Sequence, residues 1–403
     1  MRKNLFKKVL ALTLASTMAF SMAGCGSKGG SSDAKNDDGT ITLNVWHQWS
    51  NDTNELKGKY EEAVKAYEKE NPGVKIKTET LDTEAYKTKI NAEFAGDAKG
   101  IDVFYWWGAG TAKKLVDAGK VMALDDYVTD DVKSKILEGS TSAFEFDGKL
   151  YSVPMFSWYM TLFCNKTMFD KAGATLPTTY DELVDAVKKL KKLDGVIPMA
   201  AGAKDGWNAA FVYQALALRE VGATGVNEML SGKKEFGDEG FKKAAQKVSD
   251  LYEMGAFGDN PLEQGNDDAN AAFENGKAAM RLMGSWFANN VYTDDAATIK
   301  PEEVVALKIP TIADGKGEAT DYCGGFVESF WVNNNTKYKE EAAKFCIYIN
   351  EKMGVASYET GSGFSGWTTP ADESNLNPLF IQIKDLLAEG KQGVLAWDTS
   401  LES

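Results

Sequence analysis

Between residues 41 and 118 the chain alternates strand and helix patterns at a spacing that constrains its sheet strongly. Residues 41–46 read as a strand. Residues 53–70 read as a helix, with Leu56, Tyr60, Ala63, Val64 and Tyr67 at helical spacing and Asn71-Pro72-Gly73 ending it. A second strand is expected at 74–81, a second helix at 84–94 and a third strand at 101–107. That third segment is a nearly continuous apolar run, as in a strand buried on both faces. Residues 111–118 supply the next helix. Antiparallel neighbours can be joined by tight turns, whereas parallel ones need a crossover, so this order predicts a parallel, helix-covered sheet and an α/β fold.

A second α/β region is expected after the turn and strand at 148–154, which run into a strand at 159–165. Thr179 and Glu182 have the spacing of a capping box, and Leu183, Val184, Val187 and Leu190 form the buried stripe behind it. Strands follow at 197–201, 278–283 and 325–332. Helices follow at 207–221, 241–252, 268–275 and 337–353. Residues 40–403 are too many for one ordinary hydrophobic core and fit two lobes of about 180 residues each.

The first 39 residues belong to neither region. Arg2, Lys3, Lys7 and Lys8 precede a short apolar run at 9–20, then Ser21-Met22-Ala23-Gly24-Cys25. About twelve apolar residues are too few to span a bilayer as a permanent helix. Small residues before a cysteine mark a bacterial lipoprotein cleavage site, so residues 1–24 are expected to be a signal peptide and Cys25 the lipidated residue. The Gly/Ser-rich stretch from residue 25 to 39 buries nothing and reads as a flexible tether with a reach of about 20 Å. The predicted location is the outer face of the cell membrane.

Charge and cysteine content narrow the partners. The formal net charge is −14, and loss of the leader's four cations makes it more negative, which argues against nucleic acid or anionic lipid bound by bulk charge. After Cys25 only Cys164, Cys323 and Cys346 remain; all three read as small buried hydrophobes, with a Cys164–Cys323 bridge left open. With one histidine and no Cys-x-x-Cys, no transition-metal site and no cofactor are expected.

Catalytic signatures are weak. Gly361-Ser362-Gly363-Phe364-Ser365-Gly366 matches a dinucleotide fingerprint literally, but a helix precedes it where a strand is required, so it reads as a glycine-rich loop. His47 lies past the carboxyl end of the first strand, where open parallel sheets bind ligands, and has no nucleophile elbow to serve. The pairs Asp125-Asp126, Asp130-Asp131, Asp267-Asp268 and Asp294-Asp295 read as solvated surface rather than the spaced carboxyls of a glycosidase. No enzyme is expected.

The ten tryptophans say more. Trp49, Trp106, Trp107 and Trp286 fall where strands end and loops begin. A sugar offers an apolar C–H face to an aromatic ring and hydroxyls to Asp, Asn, Gln or Glu. An aromatic-rich, acidic cleft therefore suits a neutral carbohydrate. Trp331, inside an apolar strand, reads as core; Trp397 fits either role.

Several motifs together resemble the extracellular solute-binding proteins of sugar-type ABC importers, with the lobe order of maltose-binding protein. The most specific is Phe273-Glu274-Asn275-Gly276-Lys277-Ala278-Ala279-Met280-Arg281-Leu282-Met283-Gly284-Ser285-Trp286, similar to the family's F-x-x-G-K-A-A-M-x-x-x-G-x-W run. Gly148-Lys149-Leu150-Tyr151-Ser152-Val153-Pro154 with Phe163-Cys164-Asn165-Lys166 resembles the first inter-lobe crossover. Pro177-Thr178-Thr179-Tyr180-Asp181-Glu182-Leu183 resembles a P-x-T-W-x-E-L helix start. Gly324-Gly325 through Val332, then Lys339 to Phe345, resembles the second crossover and its helix.

The resemblance implies a two-lobe, periplasmic-binding-protein-like (type II) fold with the ligand in the cleft and closure about a hinge. The amino lobe would be 40–158 with 328–366, and the carboxyl lobe 159–327 with 367–403. The implied ligand-binding residues are His47, Gln48 and Trp49 from the first-strand loop, Trp106 with Trp107, Trp158 or Tyr159 at the crossover, and Trp286. Trp207, Asp82, Tyr322, Glu328 and Trp367 are looser correspondences. The family usually carries a final helix past this point, so the chain reads as a fragment or a short variant.

The implied function is capture of a carbohydrate, an oligosaccharide, for delivery to a membrane permease by a monomer. A surface glycosidase or lyase, and a binding protein for a polyamine or other cation, are the alternatives.

Overall fold

The computed structural model describes residues 39–401 other than 53 and 294–296. The expected leader, nearly all of the tether, Cys25 and the Asp294-Asp295 pair lie outside the described residues. Among those residues, no helix is long and apolar enough to cross a membrane.

The chain begins with β1 (Ile41–His47), α1 (Glu55–Glu70), β2 (Val74–Thr80), α2 (Thr83–Ala95), β3 (Val103–Trp107) and α3 (Ala109–Asp117). β1 pairs in parallel with both β2 and β3, as the strand–helix alternation predicts. Val103, Phe104 and Tyr105 have no exposed surface, which explains the unbroken apolar run. The helices start at polar caps: Asn54 Oδ1 accepts from the Leu56 N–H, and Asp82 Oδ1 from the Ala85 N–H. A short α4 (Asp130–Lys135) and a hairpin of β4 (Glu145–Phe146) and β5 (Lys149–Leu150) lead to the long β6 (Phe156–Asn165).

Beyond β6 come α5 (Lys166–Ala172), α6 (Tyr180–Leu190), β7 (Ile197–Ala200), α7 (Gly206–Leu230, broken at Gly222) and α8 (Glu239–Glu253). α6 opens with the expected capping box: the Glu182 N–H donates to Thr179 Oγ1, and Glu182 accepts from the Thr179 N–H. α9 (Asn266–Glu274), β8 (Ala278–Gly284), α10 (Phe287–Thr293) and β9 (Val304–Leu307) follow. The chain then enters the twelve-residue β10 (Asp321–Val332), α11 (Lys339–Glu359) and β11 (Phe364–Ser365), and ends its described part with α12 (Pro378–Ala388), β12 (Gln392–Val394) and α13 (Trp397–Ser400). The glycine-rich loop 361–366 follows a helix and contributes β11.

Strand order along the sheet is β2-β1-β3-β10-β6-β8-β7. Two buried apolar clusters divide it. One gathers α1, α2, β1, β3 and α11 with Phe330 to Val332. The other gathers β8, α6 through α9 and α12 with Met160 to Cys164. β6 and β10 serve both, pairing antiparallel with each other between the cores, from Gly324 opposite Tyr159 to Glu328 opposite Phe156.

Cys164, Cys323 and Cys346 are buried free thiols, so the Cys164–Cys323 bridge left open above is not formed. Burial raises the thiol pKa of all three, with nearby Asp398 adding to the effect at Cys323. Trp331 is fully buried, with its indole N–H donating to Trp106 O at 3.1 Å.

The candidate ligand cleft

Aromatic side chains from both cores gather beside the paired β6 and β10. Trp158 on β6 stacks on Phe211 of α7, with centroids 5.4 Å apart and planes 27° apart. Trp158 also meets Trp286 edge to face at 4.9 Å. Phe211 in turn contacts Trp207, one turn earlier on α7, at 5.2 Å. Trp286 lies just past β8, and Gly284 makes its placement possible. A Cβ on Gly284 would stand 1.9 Å from Trp286 Cζ3, so only glycine lets the indole fold back there. The Gly284-Ser285-Trp286 spacing of this chain thus has a packing cause.

The amino-terminal core presents Trp107 at the end of β3, in edge contact with Tyr105 at 5.2 Å and Trp106 at 5.4 Å. Lys87 of α2 reaches over it, with its ammonium 5.0 Å from the Trp107 centroid and 5.7 Å from that of Trp207. Glu84, three residues earlier on α2, pairs with the same ammonium at 3.1 Å. One cation therefore lies against an indole from each core.

Glu328 on β10 stands opposite Trp107 in the strand register. Burial pushes its carboxyl pKa up to about 7; the neighbouring Tyr105 and Trp107 side chains and the charge of Lys87 oppose that rise, and Asp398 adds to it. Nearby, Tyr159 meets Tyr322 at 5.2 Å and Phe364 at 5.4 Å, while its backbone N–H donates to Ser285 Oγ. The indole N–H groups of Trp158 and Trp207 are buried without a protein acceptor.

Trp107, Trp158, Trp207, Trp286, Tyr322 and Glu328 therefore lie around the paired β6 and β10. Four of the other expected residues occupy core positions. His47 is 1% exposed and Trp49 5%; both pack with Tyr60 and Phe330 under α1. His47 Nδ1 accepts from the Trp49 N–H, and burial, with the charge of Lys57, holds its imidazole pKa down to about 3. The one histidine is thus neutral and enclosed, poorly placed as a general base. Trp106 is buried beside Trp107, which faces the other way along the strand. Trp367 is buried in the amino-terminal core, its indole N–H donating to Pro154 O at 2.7 Å, although the expected lobe boundary set it in the carboxyl lobe. These four side chains pack within the amino-terminal core. Gln48 is half-buried in the first-strand loop, and Asp82 is exposed and capping α2. Trp397 packs against Tyr213 and Phe236 in the carboxyl-terminal core. The Asp125-Asp126, Asp130-Asp131 and Asp267-Asp268 pairs are exposed.

Lys87, Phe211 and Ser285 were not legible as site residues. Lys87 follows Glu84 on a helix, which reads as an ordinary surface ion pair, and Phe211 reads as part of the buried stripe of α7.

The family profile described as bacterial extracellular solute-binding protein matches residues 50–355. A multiple sugar-binding protein of Streptococcus mutans is 24% identical over 368 residues, spanning 88% of this chain and 80% of that one. A solved structure from work on xylan utilization by the thermophilic bacterium Caldanaerobius polysaccharolyticus superposes with a TM-score of 0.85 at 37% identity, covering 90% of this chain and 92% of that one. A chitin oligosaccharide binding protein superposes with a TM-score of 0.80 at 23% identity, covering 90% of each chain.

Proposed function

Because this chain belongs to the bacterial extracellular solute-binding proteins, which work outside the cytoplasm, we propose that its cleft captures an oligosaccharide derived from xylan and delivers it to the permease of an ABC importer. The observation that carries this reading is the gathering of Trp158, Trp207 and Trp286 beside the paired β6 and β10, with Trp107 of the other core joined to Trp207 through Lys87. Indole faces suit the C–H faces of pyranose rings, and unpaired indole N–H groups suit their hydroxyl oxygens. The likeness to the structure from xylan utilization supports a xylo-oligosaccharide over other sugars. Glu328 and Tyr322 complete the proposed polar lining. The protein acts as a binder rather than an enzyme; the buried, neutral His47 and the exposed carboxylate pairs support this.

The proposed lobes are 40–158 with 328–367 and 159–327 with 368–403, the burial of Trp367 in the amino-terminal core supporting a boundary just after it. Ligand contact with both lobes drives hinge closure about the paired β6 and β10. The protein works as a monomer anchored through a lipid on Cys25. Release of a Cys25→Ala variant into the medium, with the wild type retained on membranes, tests the anchor; equal retention overturns it. For the ligand, calorimetry with xylo-, chito- and malto-oligosaccharides is decisive. Heat with the xylose series alone is expected, and no response to any sugar overturns the reading.

A further inference from the structure

Arg281 lies inside the most specific motif of the chain, at a position the motif leaves open. It is 2% exposed, and among the described residues its hydrogen bonds go to uncharged oxygens. Its Nε donates to Asn270 Oδ1 at 3.1 Å and one terminal nitrogen to Ala200 O at 3.3 Å. The other terminal nitrogen donates to Asn208 Oδ1 at 2.8 Å and Asn266 Oδ1 at 3.0 Å. Burial lowers its pKa to about 10, while Glu274 and Asp267 oppose that fall, so the guanidinium stays charged at neutral pH. A planar fork with fixed donor directions fixes several acceptors at once.

Those acceptors come from β7, α7 and α9 and converge on the first turn of α7. Asn208 is the third residue of that helix, and its own amide donates to Asn266 Oδ1 at 3.2 Å. On the other side of the turn, Asp205 accepts from the Asn266 N–H at 2.6 Å. Trp207 lies between these two fastenings. Its ring projects half-buried toward Phe211 and Lys87.

We propose that Arg281 is a positioning residue that, through Asn208 and Asn266, fixes the orientation of the Trp207 indole as one wall of the cleft. The role in binding rests on the carbohydrate reading above; the role in fixing the indole does not. A buried cation would be an uneconomical way to fill volume, because an apolar residue there would avoid the desolvation cost. Its use is directional: it fastens the entry of α7 to α9.

The test labels the protein with 5-fluorotryptophan and assigns the Trp207 fluorine line through a Trp207→Phe variant. Asn208→Ala removes the link while leaving Arg281 its other acceptors, and Arg281→Lys and Arg281→Met bracket the cation. Asn208→Ala is expected to shift or broaden the Trp207 line and leave the Trp46 and Trp331 lines in place, with Arg281→Lys disturbed less than Arg281→Met. Affinity for xylotetraose should fall about fivefold in Asn208→Ala, the scale of one aromatic contact. It should not fall further when Asn208→Ala is added to Trp207→Ala. An unmoved Trp207 line in Asn208→Ala, equal movement of all lines, or additive losses of affinity overturn the proposal. If the wild type binds no sugar, the carbohydrate reading fails and the fluorine spectra alone decide the role of Arg281.

Discussion

Lys87 of α2 holds its ammonium 5.7 Å from the centroid of Trp207 on α7, so a cation rooted in one core lies against an aromatic ring rooted in the other. The same ammonium contacts Trp107 within its own core. A contact of this kind contributes about 0.5–1 kcal/mol at a partly solvated site. Lys87→Met should therefore shift the unliganded protein measurably toward an open form. Spin labels on α1 and α8, read as a distance distribution without sugar, check this; an unchanged distribution would show that Lys87 does not favour closure.

Trp286 and Gly284 form a second coupled pair. Trp286→Ala should weaken sugar binding by about 3 kcal/mol or less, the range of a single stacking aromatic residue. Gly284→Ala should cause a comparable loss although residue 284 need not touch the sugar, because the new methyl would occupy the space of the indole. Calorimetry on both variants, with thermal melts to follow stability, separates this from general unfolding.

Glu328 gives the protein a pH dependence. Its carboxyl titrates near pH 7 when folded, against 4.5 ordinarily. Between those values the folded protein holds a proton that the unfolded chain has released, so this group makes stability fall as pH rises from about 4.5 to about 7, then level off. The full effect is up to about 3 kcal/mol. His47 acts in the opposite sense: its pKa is depressed from 6.5 to about 3, so its contribution is present above 6.5 and is lost on acidification toward 3. Urea melts of wild type and Glu328→Gln at pH 5, 6, 7 and 8 isolate the Glu328 contribution as their difference. A difference that stays flat from pH 5 to 7 contradicts it.

The strand–helix alternation was legible because hydrophobic periodicity and caps are local. Thr179 with Glu182 and the apolar run at β3 each announce an element within a few residues. α12 has a local signature in its Asn377 cap and Pro378, whereas α13 is short and is held by a partner distant in sequence: Gln214 Oε1 accepts the Trp397 N–H from 183 positions away. The tryptophans could be selected by composition, but which of them faces the cleft depends on strand phase and packing. Trp106 and Trp107 are adjacent in sequence, yet one is buried and the other half-buried. His47 ends β1 and Trp49 lies just past it, and their burial under α1 rests on Tyr60 and Phe330, which no local pattern connects to them.

Gly324 is a point where the pairing of β6 with β10 tolerates no side chain. Its φ is +139°, and a Cβ would lie 2.0 Å from Trp158 O on the facing strand. That neighbour is backbone and cannot rotate aside. Gly324→Ala should cost about 1–3 kcal/mol in stability, as overpacking does elsewhere. Chemical denaturation against a Gly39→Ala control, at a positive-φ glycine with no neighbour within 4 Å, measures the steric part.

The pairing of β6 with β10 between the cores has a mechanical consequence. Two loose linkers would let the halves twist, slide and separate independently. A hydrogen-bonded ribbon resists stretch and shear and yields mainly by flexing, like a leaf spring clamped at both ends. The register shift between Phe326 and Glu328 interrupts its ladder locally. On the proposed hinge reading, the halves would be confined to nearly one coordinate of travel, so each closure would restore the same relative placement of Trp107 and Trp207 about Lys87.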